Sequence, residues 1–354
     1  MHLRKLLWRW PAVWLLAAVL APVVALADAG LGGAALAQGA ARVRMGVLGV
    51  LPEAGIFVAL EQGYFREQGI ELDTTPFDSA ARMVPSLGTG QLDAGDGSHS
   101  AGLFNAVARG IPIKLVADAA SGPPGYSVVA LMFRRDLADS GQVRGPGDLR
   151  GRRVALPARG IPTEVLLSDW LRPAGLRVDD VEIVEMGFPD QLPAFASRNL
   201  DATVIPEPFQ TRLVDQGLAS VYQQSYEVYP GFQVAEVMYS ADFAQQQPDL
   251  ARRFMTAYLR GVRVYNDAFV KGDAAARQVT IAALIQNTLV KDAALYDRMV
   301  FAFLDPNGHI NLSSLADDQA YWLASGAQQA PIDLNALVDY SFADAAVQAL
   351  GPYR

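Results

Sequence analysis

The chain has 354 residues, 51% of them hydrophobic and 19% charged, a formal net charge of -8 and no cysteine. That length and composition can bury a core and fit two domains, which excludes a disordered chain; an acidic balance without a Lys/Arg stripe interleaved with aromatics argues against nucleic-acid binding. Without Cys there is no disulfide framework, no Cys-based zinc site, no thiol nucleophile and no lipid-modified N-terminus.

The first segment, MHLRKLLWRWPAVWLLAAVLAPVVALADAG, has a basic start, an apolar run and then small residues, which is the layout of a secretory signal. The run is shorter than the ~20 residues that a membrane span wants. Ala25-Leu26-Ala27 and Ala35-Leu36-Ala37 both offer an A-x-A cleavage pattern. The second is favoured because patterned sequence begins only at Arg42, so residues 1–37 are read as a signal peptide. The mature chain is expected to be a soluble periplasmic protein.

Beyond it, short apolar runs alternate with amphipathic stretches. Strands are expected at 43–50, 70–75, 92–94 and 113–117, with helical spacing in IFVALEQGYFREQ between the first two. A second series follows: strands at 153–156, 181–186 and 202–205, with helices near 163–171, 191–197 and 207–216. The series echo each other, Gly69-Ile70 and Leu92-Asp93-Ala94 in the first against Gly175-Leu176 and Leu200-Asp201-Ala202 in the second. Two similar α/β lobes result, each a parallel or mixed sheet flanked by helices. ASGPPGYSVVALMFRRD leaves the first lobe and YPGFQVAEVMYS returns to it, which gives two hinge strands. Lobe I is therefore assigned residues 38–127 and 232–354, and lobe II residues 128–231. From Asp242 onward the chain reads as helix, punctuated by Pro248, Pro306 and Pro331.

The phrases VALEQGYFREQGIEL, PSLGTGQLDAGDGSHSAGLFNAVARGIPIKLVA, DLRGRRVALP and LDATVIPEPF, in this order and spacing, closely resemble the substrate-binding proteins of ABC importers in the nitrate, sulfonate and taurine group, relatives of the thiamine-pyrimidine binders. The resemblance implies a two-lobed periplasmic-binding-protein fold of type II, a Venus flytrap holding a small organic solute between its lobes. It also implies delivery to an inner-membrane ABC permease. A monomer without cofactor or metal is expected.

The turns that end the strands supply the candidate site, because in open α/β sheets ligands lie beyond the carboxyl ends of strands, where helices start with unpaired N–H groups. In lobe one these turns hold Pro52 and Glu53, then Asp78 and Ser79, then Gly97, Ser98, His99 and Ser100. In lobe two they hold Arg159 and Gly160, then Phe188, then Glu207. Phe232 and Glu236 are added from the returning hinge strand, with Phe188 and Phe232 as apolar walls. Gly97 is expected to allow close approach and His99 to lie over the pocket, while Ser98 and Ser100 serve as ligand donors or as helix caps. Asp78 reads more readily as a cap than as a ligand contact. Arg159 and the helix ends suit an anion, whereas Glu53, Asp96, Glu207 and Glu236 suit an amine or a nitrogen heterocycle, and the sequence leaves this open.

Hydrolysis is disfavoured. A nucleophile elbow needs Gly two residues on either side of its Ser, but Ser98 has Asp96 and Ser100 there, and Ser100 has Ser98 and Gly102. No nucleotide-binding glycine motif and no H-E-x-x-H occurs. The enzyme of this fold that makes the thiamine pyrimidine depends on a cysteine-rich segment and a pyridoxal-phosphate lysine; here there is no Cys, and Lys114 falls within the strand PIKLVA. A binder rather than an enzyme is expected, the rivals being an enzyme on the same scaffold and a ligand-sensing binder.

Overall fold

The computed structural model describes residues 40–353, so the signal-peptide expectation lies outside the described residues. Two mixed five-stranded sheets, each flanked by helices, make the two lobes. The first contains β1 (Ala41–Val47), β2 (Ile70–Pro76), β3 (Ala94–Gly97) and β4 (Lys114–Gly122). The second contains β5 (Val129–Arg134), β6 (Arg153–Leu156), β7 (Glu182–Glu185), β8 (Ala202–Pro206) and β9 (Ala219–Gln224). The chain then returns to the first sheet as β10 (Phe232–Tyr239).

The strand orders, β2-β1-β3-β10-β4 and β7-β6-β8-β5-β9, place equivalent strands at equivalent positions. In each, three parallel strands are followed by an antiparallel one, β10 between β3 and β4, and β5 between β8 and β9. The inserted strand is the first one laid down after the chain crosses from the other lobe. The strands β8 and β10 are buried along their whole length, as expected for apolar runs covered on both faces.

The sequence echo has a structural counterpart. In the Leu-Asp-Ala turn before β3, the Asp93 carboxylate accepts the Arg44 N–H at 2.8 Å, and the Asp93 N–H donates to the Arg44 carbonyl. Before β8, Asp201 does the same for Arg153, accepting its N–H at 3.0 Å and donating to its carbonyl. One aspartate in each lobe thus ties its turn to the neighbouring strand.

The long helix Pro248–Phe269 buries Leu250, Phe254, Tyr258, Val262 and Tyr265 on one face, at helical spacing. It crosses the helix Ala54–Glu61 at close range: a Cβ on Gly261 would lie 2.0 Å from the Gly55 carbonyl oxygen. The region after Asp242 departs from the all-helical expectation. Between the helices Ala274–Asn287 and Leu312–Ser325 the chain runs mostly without regular structure, and Phe303 bridges to Ser121 of β4. The strand β9 was also absent from the sequence expectation.

Candidate functional site

The carboxyl ends of the two sheets face one another across a cavity of about 40 Å³. Leu48, Val50 and Pro52 come from the end of β1, and Asp96, Gly97 and Ser98 from the end of β3. The second sheet adds Pro157, Ile161, Thr163, Phe188 and Pro206, and the crossing strands add Val128, Val129, Val234 and Ala235. The walls are overwhelmingly apolar. The lobes are in contact around it: the Ala101 N–H donates to the Gly160 carbonyl at 2.8 Å and the Leu51 N–H to the Glu207 carbonyl at 3.1 Å.

Asp96 is the one charged residue of the lining, 1% exposed, and neither carboxylate oxygen has a hydrogen-bond partner in the protein. Burial, reinforced by Glu53, Glu236 and Asp118, pushes its carboxyl well above the usual range. The Thr163 hydroxyl is likewise buried and unpartnered. Such groups are rare in folded proteins, because a buried polar atom without a partner costs about 1–3 kcal/mol.

The carboxylates behind Asp96 are all satisfied. Glu53 turns back toward its own loop, accepting N–H groups from Leu48, Gly49 and Val50 at 2.5, 2.6 and 3.0 Å. Burial lifts its carboxyl to about 7 against the opposing pull of those bonds. Asp118 accepts from Gln233 Nε2 and from the Asp305 N–H, both at 2.7 Å. Glu236 accepts from His99 Nδ1 at 3.0 Å, and His99 Nε2 meets Asp318 Oδ2 at 2.9 Å. Burial alone would lower the His99 pKa, but Glu236 and Asp318 outweigh it and raise it to about 10.

Of the residues expected in the site, Pro52, Gly97, Ser98 and Phe188 line the cavity. The others lie elsewhere, each for a local reason. His99 does not lie over the pocket: it is fully buried between its two carboxylates and packs against Phe104 and Trp322. Glu236 is its partner, and Glu53 is a loop cap. Ser100 caps the helix Ala101–Ala108 by accepting the Leu103 N–H at 3.0 Å. Ser79 is buried with its hydroxyl unpartnered, outside the lining. Asp78 is exposed, 3.8 Å from Arg82, and its side chain lies against Gly187 of the other lobe. Glu207 is buried and accepts the Thr211 N–H and hydroxyl and the Val300 N–H. Phe232 packs edge-on to Tyr229 in a separate groove.

Arg159 and Gly160 border a larger groove of about 620 Å³, with Arg172, Arg177 and Tyr321, outside the cavity lining. There Arg159 sits 3.6 Å from Glu164, with 46% of its side chain exposed. Gly97 does not make room for a ligand: the space a Cβ would take is filled by Ala80 and Leu48, and its φ of +142° is one that side-chain-bearing residues rarely adopt.

Thr163 and Asp318 were missing from the expected set, and Asp96 was expected only as a charge that suits an amine or a nitrogen heterocycle. Asp96 carried a signal, a carboxylate between two glycines inside an otherwise apolar strand. Asp318 carried none, since it meets His99 across 219 residues of sequence.

A family model described as NMT1/THI5 like matches residues 52–268. A putative binding protein of Brucella abortus (strain 2308) is 30% identical over 151 residues, 43% of this chain and 43% of its own length, so the chain spans less than half of that relative. The taurine-binding periplasmic protein of Escherichia coli (strain K12) is 24% identical over 202 residues, 57% of this chain and 60% of that one. Among solved structures, the alkanesulfonate-binding protein of Xanthomonas axonopodis pv. citri, bound to MOPS, is similar with a TM-score of 0.67 at 17% identity. That match covers 86% of this chain and 99% of the other, a likeness of fold.

Proposed function

Because the chain belongs to the NMT1/THI5-like family, we propose that it is the solute-binding protein of an ABC importer, capturing a small organic solute between its lobes and handing it to an inner-membrane permease. Lobe I is formed by residues 38–127 and 232–354 and lobe II by residues 128–231. The protein works in the periplasm after removal of residues 1–37; among the described residues no helix is long and apolar enough to cross a membrane.

The observation that carries this reading is the mostly apolar cavity between the carboxyl ends of the two sheets, lined by Asp96 and Thr163, whose carboxylate and hydroxyl have no partner in the protein. Concave, mostly apolar sites with a few convergent polar groups are what small-molecule binding requires. The same geometry disfavours hydrolysis at Ser98, since both ring nitrogens of the adjacent His99 are held by Glu236 and Asp318 and neither is free to act as its base.

A thermal-shift screen over sulfonates, carboxylates, amines and pyrimidines tests the proposal. A cognate solute at 100 times its dissociation constant is expected to add ~2.7 kcal/mol of stability and to be recovered unchanged. The absence of any stabilising solute, or its conversion to product, would overturn the reading.

A further inference from the structure

From the cleft we infer that the solute is an organic ammonium ion whose N–H groups bind Asp96, with a small apolar body against Val50, Val128 and Phe188. This rests on the solute-binding reading above and names the ligand's chemistry.

Three observations converge on it. First, Asp96 is a residue of the cavity lining, only 1% exposed, and both of its carboxylate oxygens are without a donor from the protein. An ionised carboxylate accepts at two oxygens through about four lone-pair sites, which an ammonium with several N–H donors can fill. Second, the cavity lining contains no Arg, Lys or His. Arg159 faces Glu164 at the outer groove, so nothing in the cavity neutralises a sulfonate or a nitrate. Third, the groups packed around Asp96 are acidic from every side: Glu53 from the turn Leu51–Glu53, Glu236 from β10, Asp118 from β4, and the Tyr258 phenol from the helix Pro248–Phe269. The positive charge beside them, on His99, is committed to Glu236 and Asp318. The cleft therefore offers an anion no cationic side chain, and it offers an ammonium a carboxylate whose oxygens have no partner in the protein.

The same surroundings push the Asp96 carboxyl well above the usual carboxylate range, which favours its protonated form in the empty cleft. An ammonium replaces that proton: the carboxyl gives up its hydrogen to solvent and the carboxylate takes the N–H groups in its place, leaving the charge of the buried cluster unchanged. Binding is therefore linked to release of one proton. Affinity rises about tenfold per pH unit for as long as Asp96 is protonated in the free protein.

The test uses the full mature protein with three probes: propylammonium, tetramethylammonium, which has no N–H donor, and propane-1-sulfonate. Thermal shift is read at pH 6, 7 and 8 for wild type and Asp96→Asn, and calorimetry is run in two buffers of different ionisation enthalpy. Propylammonium is expected to stabilise wild type, more at pH 8 than at pH 6, with one proton released, and to lose its effect in Asp96→Asn. Neither of the other probes is expected to act. No response to propylammonium, or an equal response in the variant, overturns the inference. A response to propane-1-sulfonate instead also overturns it while leaving the solute-binding function standing. Should Asp96→Asn fail to fold, proton release by wild type decides the matter.

Discussion

The imidazolium at His99 lies between Glu236 and Asp318 with no solvent contact, so its protonation is tied to the fold. Its pKa is raised to about 10 from the ordinary 6.5, so the folded state holds this proton more tightly than the unfolded chain. The resulting stabilisation is fully present below pH 6.5 and is lost as pH rises through about 10. Glu207, raised from 4.5 to about 7 by burial, has the same sign in a lower window, its contribution complete below 4.5 and lost through 7. The melting temperature is therefore expected to fall from pH 5 to pH 10 in calorimetric scans, and a rise over that range would contradict the assignment. His99→Gln should flatten the upper limb, while His99→Ala, leaving two buried carboxylates uncompensated, should cost about 3–5 kcal/mol. Arg159→Ala should behave oppositely to a site residue: its half-exposed ion pair with Glu164 is worth about 0–1 kcal/mol, and solute affinity measured by titration should stay unchanged. The sequence made His99, Glu236 and Arg159 visible as polar residues near strand ends, but not which way they face. Direction depends on Asp318 and Glu164, and in the first case the partner is far along the chain.

Helix on helix, Gly55 and Gly261 approach so closely that a methyl group on Gly261 would lie 2.0 Å from a carbonyl oxygen and 3.0 Å from the Ala59 nitrogen. Both obstacles are backbone and cannot swing aside. Gly261→Ala is expected to force the helices Ala54–Glu61 and Pro248–Phe269 apart at a cost of about 3 kcal/mol or more, read as a lowered midpoint in urea with the folded spectrum otherwise retained. The strands were legible where apolar runs were bounded by glycine and proline, as in β1, β2 and β6. The edge strand β9, with Tyr222 and Val221 half-exposed and Gln223 and Gln224 following, shows no clear apolar alternation and escaped notice. The irregular stretch after Asn287 was misread as helix because nothing in ALYDRMVFAFLD forbids one; tertiary contacts such as Phe303 with Ser121 hold it extended.

At the scale of the whole molecule the doubled lobe pattern was readable from the repeated Leu-Asp-Ala turns, whereas the ties between lobes were not. Besides the two crossing strands, the C-terminal part reaches lobe II through Arg298 on Asp215, the Val300 N–H on Glu207, and packing of Trp322 and Leu315 in one cluster with Val165. Opening must break the Ala101–Gly160 and Leu51–Glu207 bonds and shift these ties as well, so ligand-free protein is expected to be only modestly larger than ligand-bound protein by small-angle scattering; no difference at saturation would rule out lobe movement. The placement of β10 between β3 and β4 has a further consequence, in the order of folding events. All strands of the second sheet lie within residues 129–224, but the first sheet stays split into β2-β1-β3 and a separate β4 until the last strand arrives. His99 accordingly waits for Glu236, 137 residues away. Pulse-labelled hydrogen exchange during refolding of the full chain should find β5 to β9 protected first and β3 and β4 last, since contacts so distant in sequence close slowly. The half that comes first along the chain is thereby the half that finishes second.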